Sequence, residues 1–272
     1  MSSTYFSRGG HTLYQGDNID VLSELPNQSV HLVITSPPYG ELRDYEGFIH
    51  SPDIVLRECY RILVEGGIVV WVENDQYIDG SRSLETWRRL IYAKDVIGFR
   101  VSDIMPWVKQ GIQLVASNRY SQCWEPMLIL SKGVPQTVNK IKDVPNQYAG
   151  KKLAKGSIGA DADGRRTYTN ENRVIQPLGE RTNVWRLPVG GHSTSPDMPG
   201  GKTLHPAPFP LQLAIDHIIS WTNEGDVVLD PYCGSGTTMK AAQNTGRKSI
   251  GIEISSKYCQ MIDRRMAQQS LL

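Results

Sequence analysis

Three features of this sequence point to a doubly wound α/β sheet. Short apolar runs recur, among them Val30-His31-Leu32-Val33-Ile34, Ile68-Val69-Val70-Trp71-Val72 and Val227-Val228-Leu229-Asp230. Their length and β-branched content suit strands buried on both faces. Between the runs lie segments whose apolar residues recur at helical spacing, so strand and helix alternate as in βαβ units. Two of the runs pass directly into loops with unusual backbone chemistry: Thr35-Ser36-Pro37-Pro38-Tyr39, and Pro231-Tyr232-Cys233-Gly234-Ser235-Gly236. In an open parallel sheet, loops at the carboxyl ends of strands are where ligands bind.

The totals set the frame. A chain of 272 residues holds one sizeable α/β domain with an insertion, or two small domains. Its 39% hydrophobic and 21% charged content is that of an ordinary soluble globular protein. No run reaches the length of a membrane span, and residues 1–8 lack the apolar core of a signal peptide, so a cytoplasmic setting is expected. Cys59, Cys123, Cys233 and Cys259 form no Cys-x-x-Cys pair, which argues against a zinc knuckle or a disulfide framework. A net charge of +1 gives no global attraction to polyanions, so any such site needs local clustering of cations.

In chain order, His11-Thr12-Leu13-Tyr14-Gln15 alternates like a strand, and Ile19, Leu22 and Leu25 space a helix after Gly16-Asp17. Asp17 therefore stands where a strand hands over to a helix, and Asp17 or Asn18 serves there as a helix N-cap or as a ligand group. The next strand ends in Thr35 to Tyr39. Its two prolines offer no N–H and leave carbonyls pointing outward beside a hydroxyl and a ring, which suits either an extended connector or a grip on a flat, amino-bearing ring. Residues 41–50 are charged and irregular, a candidate flap. Ser51-Pro52-Asp53 starts a helix with Val55, Cys59 and Ile62 as its buried stripe, expected to run to Gly66-Gly67. The strand over 68–72, a helix over 83–96 and strands over 101–108 and 124–130 follow. Trp107 and Lys109 close one of these strands, Trp107 as core packing or as a ligand platform. Asn118, Arg119 and Tyr120 lie in the polar link to the next.

From 132 to about 181 the periodicity dissolves. Lys140, Lys142, Lys151, Lys152, Lys155, Arg165, Arg166 and Arg173 are interleaved there with Tyr148, Tyr168, Asn170 and Gln176. A long basic segment of this kind reads as a nucleic-acid-contacting insert or as a solvated, flexible one. Order returns at Asn183-Val184-Trp185-Arg186-Leu187-Pro188, then comes Lys202-Thr203-Leu204-His205-Pro206-Ala207-Pro208-Phe209-Pro210 and a helix to about Trp221. His205 has no sequence neighbour to complete a catalytic triad.

The strand 227–230 runs into a glycine turn and a helix expected over 239–245, and Ser249-Ile250-Gly251-Ile252-Glu253 is the next strand. Glycines there let a ligand touch the backbone, the helix start supplies free N–H groups, and Glu253 is placed to accept ribose hydroxyls. A dinucleotide site requires a third glycine where Met239 stands, and Asp230 opposes a pyrophosphate. The Asp-x-x-x-Gly-x-Gly form suits a ligand with a cationic amino-acid end and a ribose.

These residues resemble the motifs of the amino-directed DNA methyltransferases. Residues 230–238 resemble the S-adenosylmethionine motif, Thr35 to Tyr39 the catalytic motif, and Gly251-Ile252-Glu253 the ribose motif. Gly16-Asp17, Arg61-Ile62-Leu63-Val64-Glu65-Gly66-Gly67, Trp107-Val108-Lys109 and His205 to Pro210 also look like family motifs. The order, with the catalytic motif first, a basic insert next and the cofactor motif last, is similar to the β group, a circular permutation of the usual methyltransferase chain. The resemblance implies a Rossmann-like methyltransferase fold with a mostly parallel seven-stranded sheet. It divides the chain into a catalytic half (1–132), a target-recognition insert (133–182) and a cofactor half (183–272). Asp17, Thr35, Asp230, Tyr232, Gly234, Ser235, Gly236, Thr237, Thr238, Glu253, His205 and Phe209 are then expected at S-adenosylmethionine. Ser36, Pro37, Pro38 and Tyr39 are expected to perform catalysis, and Trp107, Lys109, Arg119, Lys151, Lys152, Arg165 and Arg166 to meet the target base or the DNA.

A base inside a duplex must be flipped out to reach a buried methyl donor, with Tyr39 the expected stacking surface and Trp107 a second wall. Ser36 Oγ and the Pro37 carbonyl are expected to accept the two N–H bonds of the exocyclic amine. Ser before Pro-Pro resembles the cytosine-N4 branch, with adenine N6 the alternative and a catalytically silent DNA-binding partner a third reading. Double-stranded DNA is the expected partner, and the resemblance allows a restriction endonuclease sharing the site and a homodimer.

Overall fold

All seven apolar runs read as strands above join one sheet in the computed structural model, which describes residues 3–38, 51–110, 119–152, 158–161, 163–168, 174–189 and 209–268. The chain opens with an antiparallel hairpin, β1 (Ser3–Arg8) and β2 (His11–Gln15), turning at Gly9 and Gly10, both at positive φ. Helix α1 (Asn18–Glu24), β3 (Val30–Thr35), α2 (Pro52–Ile62) and β4 (Leu63–Val72) follow. A two-rung hairpin, β5 (Tyr77–Ile78) with β6 (Ser81–Arg82), precedes α3 (Glu85–Tyr92), whose end widens into a π turn at Ala93–Ile97. Strands β7 (Arg100–Gln110) and β8 (Trp124–Ser131) complete this half.

Next come four short strands, β9 (Lys142–Pro145), β10 (Ile158–Ala160), β11 (Arg166–Tyr168) and β12 (Leu178–Glu180). The chain then forms β13 (Trp185–Pro188), α4 (Leu211–Trp221), β14 (Val227–Asp230), α5 (Thr237–Asn244), β15 (Lys248–Glu253) and α6 (Ser256–Ala267). Two units result. Met1–Asn139 with Asn183–Leu272 holds the large sheet; Lys140–Thr182 holds the antiparallel pairs β9/β12 and β10/β11.

The sheet order is β1-β2-β15-β14-β3-β4-β8-β7-β13. From β2 through β4 every neighbour is parallel, so five strands end along one edge; β8 runs antiparallel to both β4 and β7. Nine strands replace the expected seven because β1 and β13 extend the two edges. Neither carries a fully apolar run, since an edge strand is covered on fewer sides and needs less apolar side chain. The mostly parallel, doubly wound class stands.

On one face, α1 and α2 pack Leu22, Val55, Leu56 and Ile62 against Val33, Val69 and Trp71. A second cluster joins Leu13, Cys233, Met239, Cys259, Ile262 and Met266. Each such fully buried side chain contributes roughly 1.5–3 kcal/mol, so these layers hold the strand ends in place.

Three element boundaries differ from expectation. Helix α2 stops at Ile62, not at Gly66-Gly67, because Leu63 already pairs with Val30 across the sheet. The glycines lie in an irregularity inside β4, where a Cβ on Gly66 (φ 77°) would collide with Gln136 Cγ. The helix expected over 83–96 divides at Ala93, whose carbonyl receives both Gly98 and Phe99 N–H. Helix α5 starts two residues earlier than expected, directly after Gly236. The described part of the insert carries short strands rather than none; their side chains are almost all exposed, so no apolar alternation marks them. Helix α6 is a further element without a sequence-based expectation.

Tyr39, the candidate flap at 41–50, residues 113–118, Lys155, Asn170, Arg173 and His205 lie outside the described residues. Among the described residues no helix is long and apolar enough to cross a membrane.

Candidate active site

The carboxyl ends of β2, β15, β14, β3 and β4 bring Asp17, Glu253, Asp230, Ser36 and Glu73 to one sheet edge. From β3 the chain continues to β4 on one side, and from β14 to β15 on the other. The crevice between β3 and β14 is therefore the switch point where such sheets bind ligands.

Asp230 and Thr35 close the floor of that crevice. Thr35 Oγ1 donates to Asp230 Oδ1 at 2.8 Å, Tyr232 N–H donates to the same oxygen at 3.1 Å, and Thr238 Oγ1 donates to Oδ2 at 2.7 Å. Burial pushes the Asp230 carboxyl up to about 6, against the three donors, which pull it down. Asp230 is 2% exposed, so its contacts are with the protein interior, and it joins the catalytic-loop strand to the glycine turn.

The turn itself is built by Gly234 (φ 51°) and Gly236 (φ 77°), with α5 starting at Thr237. Arg265 of α6, itself buried, holds the turn from below by donating to the Ser235 carbonyl at 2.9 Å and to Thr237 Oγ1 at 3.1 Å. Glu253 closes the turn from the side: Oε2 accepts Gly234 N–H at 2.7 Å and Oε1 accepts Ser255 N–H at 2.9 Å. Burial pushes its carboxyl up to about 7, with a smaller push from Asp230 and an opposing pull from the backbone donors. The strand behind leaves no room for a side chain. A Cβ on Gly251 would meet Met239 Sδ at 2.5 Å and Cys233 Sγ at 2.7 Å. Cys233 is buried in this packing and burial drives its thiol well up, so it is no nucleophile.

Asp17 caps α1, its Oδ1 accepting Ile19 N–H at 2.8 Å, and is half-buried beside the end of β15, where Gly16 N–H reaches the Glu253 carbonyl at 3.1 Å. Asn18 donates to the Pro231 carbonyl at 3.1 Å, tying α1 to the turn. Tyr232 sets its ring edge-on to Trp71, with centroids 6.4 Å apart. In the catalytic loop Ser36 is half-buried, Pro37 buried and Pro38 half-buried. Phe209 is buried.

Trp107 is 3% exposed and its indole donates to the Leu187 carbonyl of β13, so packing accounts for its contacts. Lys109 pairs with Glu125 at 2.5 Å and stands over the Trp107 ring. Arg119 is exposed and lies over Tyr77. In the smaller unit, Lys151 stands over Tyr148, Lys152 bridges to Val174, Arg165 reaches Asp163 at 4.0 Å and Arg166 opens β11; all four side chains are exposed.

Several contacts of the site carry no sequence signal. Arg265 and Asn18 act on backbone carbonyls 30 and 213 positions away. Glu73 is 4% exposed and accepts Trp71 Nε1–H at 2.9 Å and the Arg89 guanidinium, which also reaches Asp53 at 3.1 Å. Burial raises the Glu73 carboxyl while Arg89 opposes the shift.

A glycine turn at the carboxyl end of β14, a helix start directly after it and a carboxylate at the end of the neighbouring strand β15 fit an adenosine-bearing methyl donor. The class these features define is the S-adenosylmethionine-dependent methyltransferase. A DNA methylase family model for N6- and N4-directed enzymes matches residues 30–264, and the chain belongs to that family. It is 41% identical over 245 residues to the orphan methyltransferase M.BamHII of Bacillus amyloliquefaciens, covering 90% of this chain and 91% of that protein. It is 28% identical to the DNA adenine methyltransferase YhdJ of Escherichia coli K12, covering 97% and 85%. Among solved structures, PvuII DNA methyltransferase (cytosine-N4-specific) shares the fold, with a TM-score of 0.67 and 20% identity over 96% of this chain and 88% of that one. A Thermus thermophilus DNA modification methylase complexed with S-adenosylmethionine gives a TM-score of 0.60 and 27% identity over 94% of each chain. The protein is a DNA methyltransferase and its cofactor is S-adenosylmethionine.

Proposed function

We propose that the methyl group goes to the exocyclic N4 amine of cytosine in a base flipped out of double-stranded DNA. The observation that carries this reading is a serine, Ser36, directly after Thr35, whose hydroxyl reaches Asp230 of the cofactor turn at 2.8 Å. A short hydroxyl in place of a longer carboxylate or amide leaves the loop an acceptor suited to the cytosine amine.

The cofactor supplies an electrophilic methyl group; the chain's work is placement. Glu253 accepts the ribose hydroxyls, and the Gly234 to Gly236 backbone, with Ser235, Thr237 and Thr238 behind it, lets the amino-acid end approach. Asp17, Tyr232, His205 and Phe209 complete the surround. Asp230 acts mainly by locking Thr35 and Thr238 in place, its oxygens facing protein donors. Ser36 Oγ and the Pro37 carbonyl accept the two amine N–H bonds, drawing nitrogen lone-pair density out of the ring and toward the methyl group. Tyr39 stacks on the extruded base. Lys109, Arg119 and the cations of Lys140–Thr182 meet the DNA, the smaller unit reading the target sequence.

Adenine N6 is the second reading, favoured by the 28% identity to a DNA adenine methyltransferase across 97% of the chain. A companion endonuclease and a homodimer fit the same chemistry; likeness to an orphan methyltransferase favours a chain that works without a nuclease. The test is to methylate sequence-diverse DNA with labelled S-adenosylmethionine, digest it and separate the nucleosides. Labelled N4-methylcytosine is the expected product, and labelled N6-methyladenine overturns the assignment in favour of the second reading.

A further inference from the structure

We propose that the β5–β6 hairpin and Arg119 form a phosphate-gripping patch on the catalytic edge, a second DNA contact separate from the Lys140–Thr182 unit. The proposal rests on the reading of this edge as the side that receives DNA.

Tyr77, 40% exposed, presents its ring to two guanidiniums. Arg119 Cζ lies 3.8 Å from the ring centroid and Arg82 Cζ 5.7 Å. The two arginines come from segments 37 positions apart, yet converge on one exposed ring. Among the described residues no carboxylate lies within 4.0 Å of either, although Asp79 and Glu85 are close in sequence. Arg8, Arg61 and Arg89 of the same unit, by contrast, are each paired with Asp or Glu. A guanidinium stacked by its face keeps its N–H edge free, and a planar edge of several donors matches phosphate geometry. Stacking also fixes the side chain beforehand, so less rotamer entropy is lost on contact.

The patch is anchored to the chain that follows β4. Gln122 Nε2 donates to Asn74 Oδ1 at 2.9 Å, and Ser83 N–H closes the hairpin base on the Gln76 carbonyl at 2.9 Å. Both anchors follow the carboxyl end of β4, which is paired in parallel with β3, and Ser36 is the residue after β3. Two arginines from separate segments converge on one exposed ring with no carboxylate partner among the described residues, which leaves two guanidinium edges for phosphate oxygens.

The test is an anisotropy titration of a labelled duplex between 50 and 200 mM salt, comparing wild type with the Arg82→Gln/Arg119→Gln double variant. Each phosphate contact contributes about 0.9 to the slope of log K against log[salt], so the double variant is expected to flatten it by about 1.8, for any sequence. S-adenosylmethionine affinity, measured on the same samples, is expected to stay at the wild-type value. An unchanged salt slope with cofactor binding intact overturns the proposal. Should the double variant lose cofactor binding, the single variants replace it, each expected to flatten the slope by about 0.9, and unchanged slopes again overturn it. Which base carries the methyl group enters neither arm, so the cytosine assignment and this patch fail independently.

Discussion

Thr35 Oγ1 donates a buried hydrogen bond of 2.8 Å to Asp230 Oδ1, joining residues 195 positions apart at the floor of the crevice between β3 and β14. The loop after β3 starts one residue after Thr35, and the glycine turn starts one residue after Asp230. This bond therefore ties the end of β3 to the end of β14. Replacing Thr35 by Val keeps the shape and leaves the buried carboxylate short of one donor, at a cost of about 1–3 kcal/mol. Urea unfolding is expected to report that loss, together with a raised KM for S-adenosylmethionine; Thr35→Ser restores both. Wild-type stability in Thr35→Val contradicts the linkage.

Cofactor binding is expected to depend on pH through Glu253. Its carboxyl, ordinarily near 4.5, is pushed up to about 7 by burial, so near neutral pH a large fraction is protonated in the free protein. The ionised form is the stronger acceptor for ribose hydroxyls. Affinity for S-adenosylmethionine should rise as pH rises from 6 to 8, with proton release on binding, and Glu253→Gln should bind weakly with a flat profile. Calorimetry in buffers of different ionisation enthalpy measures both, and a flat wild-type profile without proton release counts against the role.

Stability has the opposite slope. Asp230 and Glu253 both carry raised carboxyls, about 6 and about 7, so between pH 4 and 7 the folded chain holds protons that the unfolded chain has released. Their contribution is fully present below the unfolded values and is lost as pH rises through the folded ones, each pKa unit between folded and unfolded chain being worth roughly 1.4 kcal/mol. Asp230→Asn should remove part of this dependence. Chemical denaturation of both proteins at pH 5 and 7.5 compares the slopes; equal slopes contradict the assignment.

Gly251 is a packing requirement. A methyl group there stands 2.5 Å from Met239 Sδ and 2.7 Å from Cys233 Sγ, with helix α5 behind. Gly251→Ala is expected to cost about 1–3 kcal/mol in thermal or urea unfolding. A neutral effect means that Met239 relaxes freely, so the turn is softer than these contacts imply.

Much of this architecture is legible because buried parallel strands must be apolar throughout. The runs at Val30 to Ile34 and Val227 to Leu229 announce themselves, and the loops after them carry their chemistry in consecutive residues. The end of helix α2 misleads because Gly66-Gly67 resembles a helix stop, whereas the helix yields at Leu63 to strand pairing with Val30. The partners of Arg265 and Asn18 are illegible for a different reason. Both side chains donate to backbone carbonyls, which leave no residue type at the far end to recognise. The same holds for Asp230. Its presence at the strand end is clear, but its partners Thr35 and Thr238 come together only through the fold. The hairpin patch at Tyr77 depends on Arg119 crossing from another loop, a convergence that spacing does not encode.

In the proposed reaction the loop after β3 activates the target amine while the turn after β14 holds the methyl donor. Single-turnover methylation by Ser36→Ala, with S-adenosylmethionine affinity measured in parallel, tests it most directly. Loss of one acceptor worth about 1–3 kcal/mol predicts a transfer rate slowed roughly 5- to 150-fold with cofactor affinity kept at the wild-type value. Transfer at the wild-type rate, or a loss confined to cofactor binding, contradicts the account.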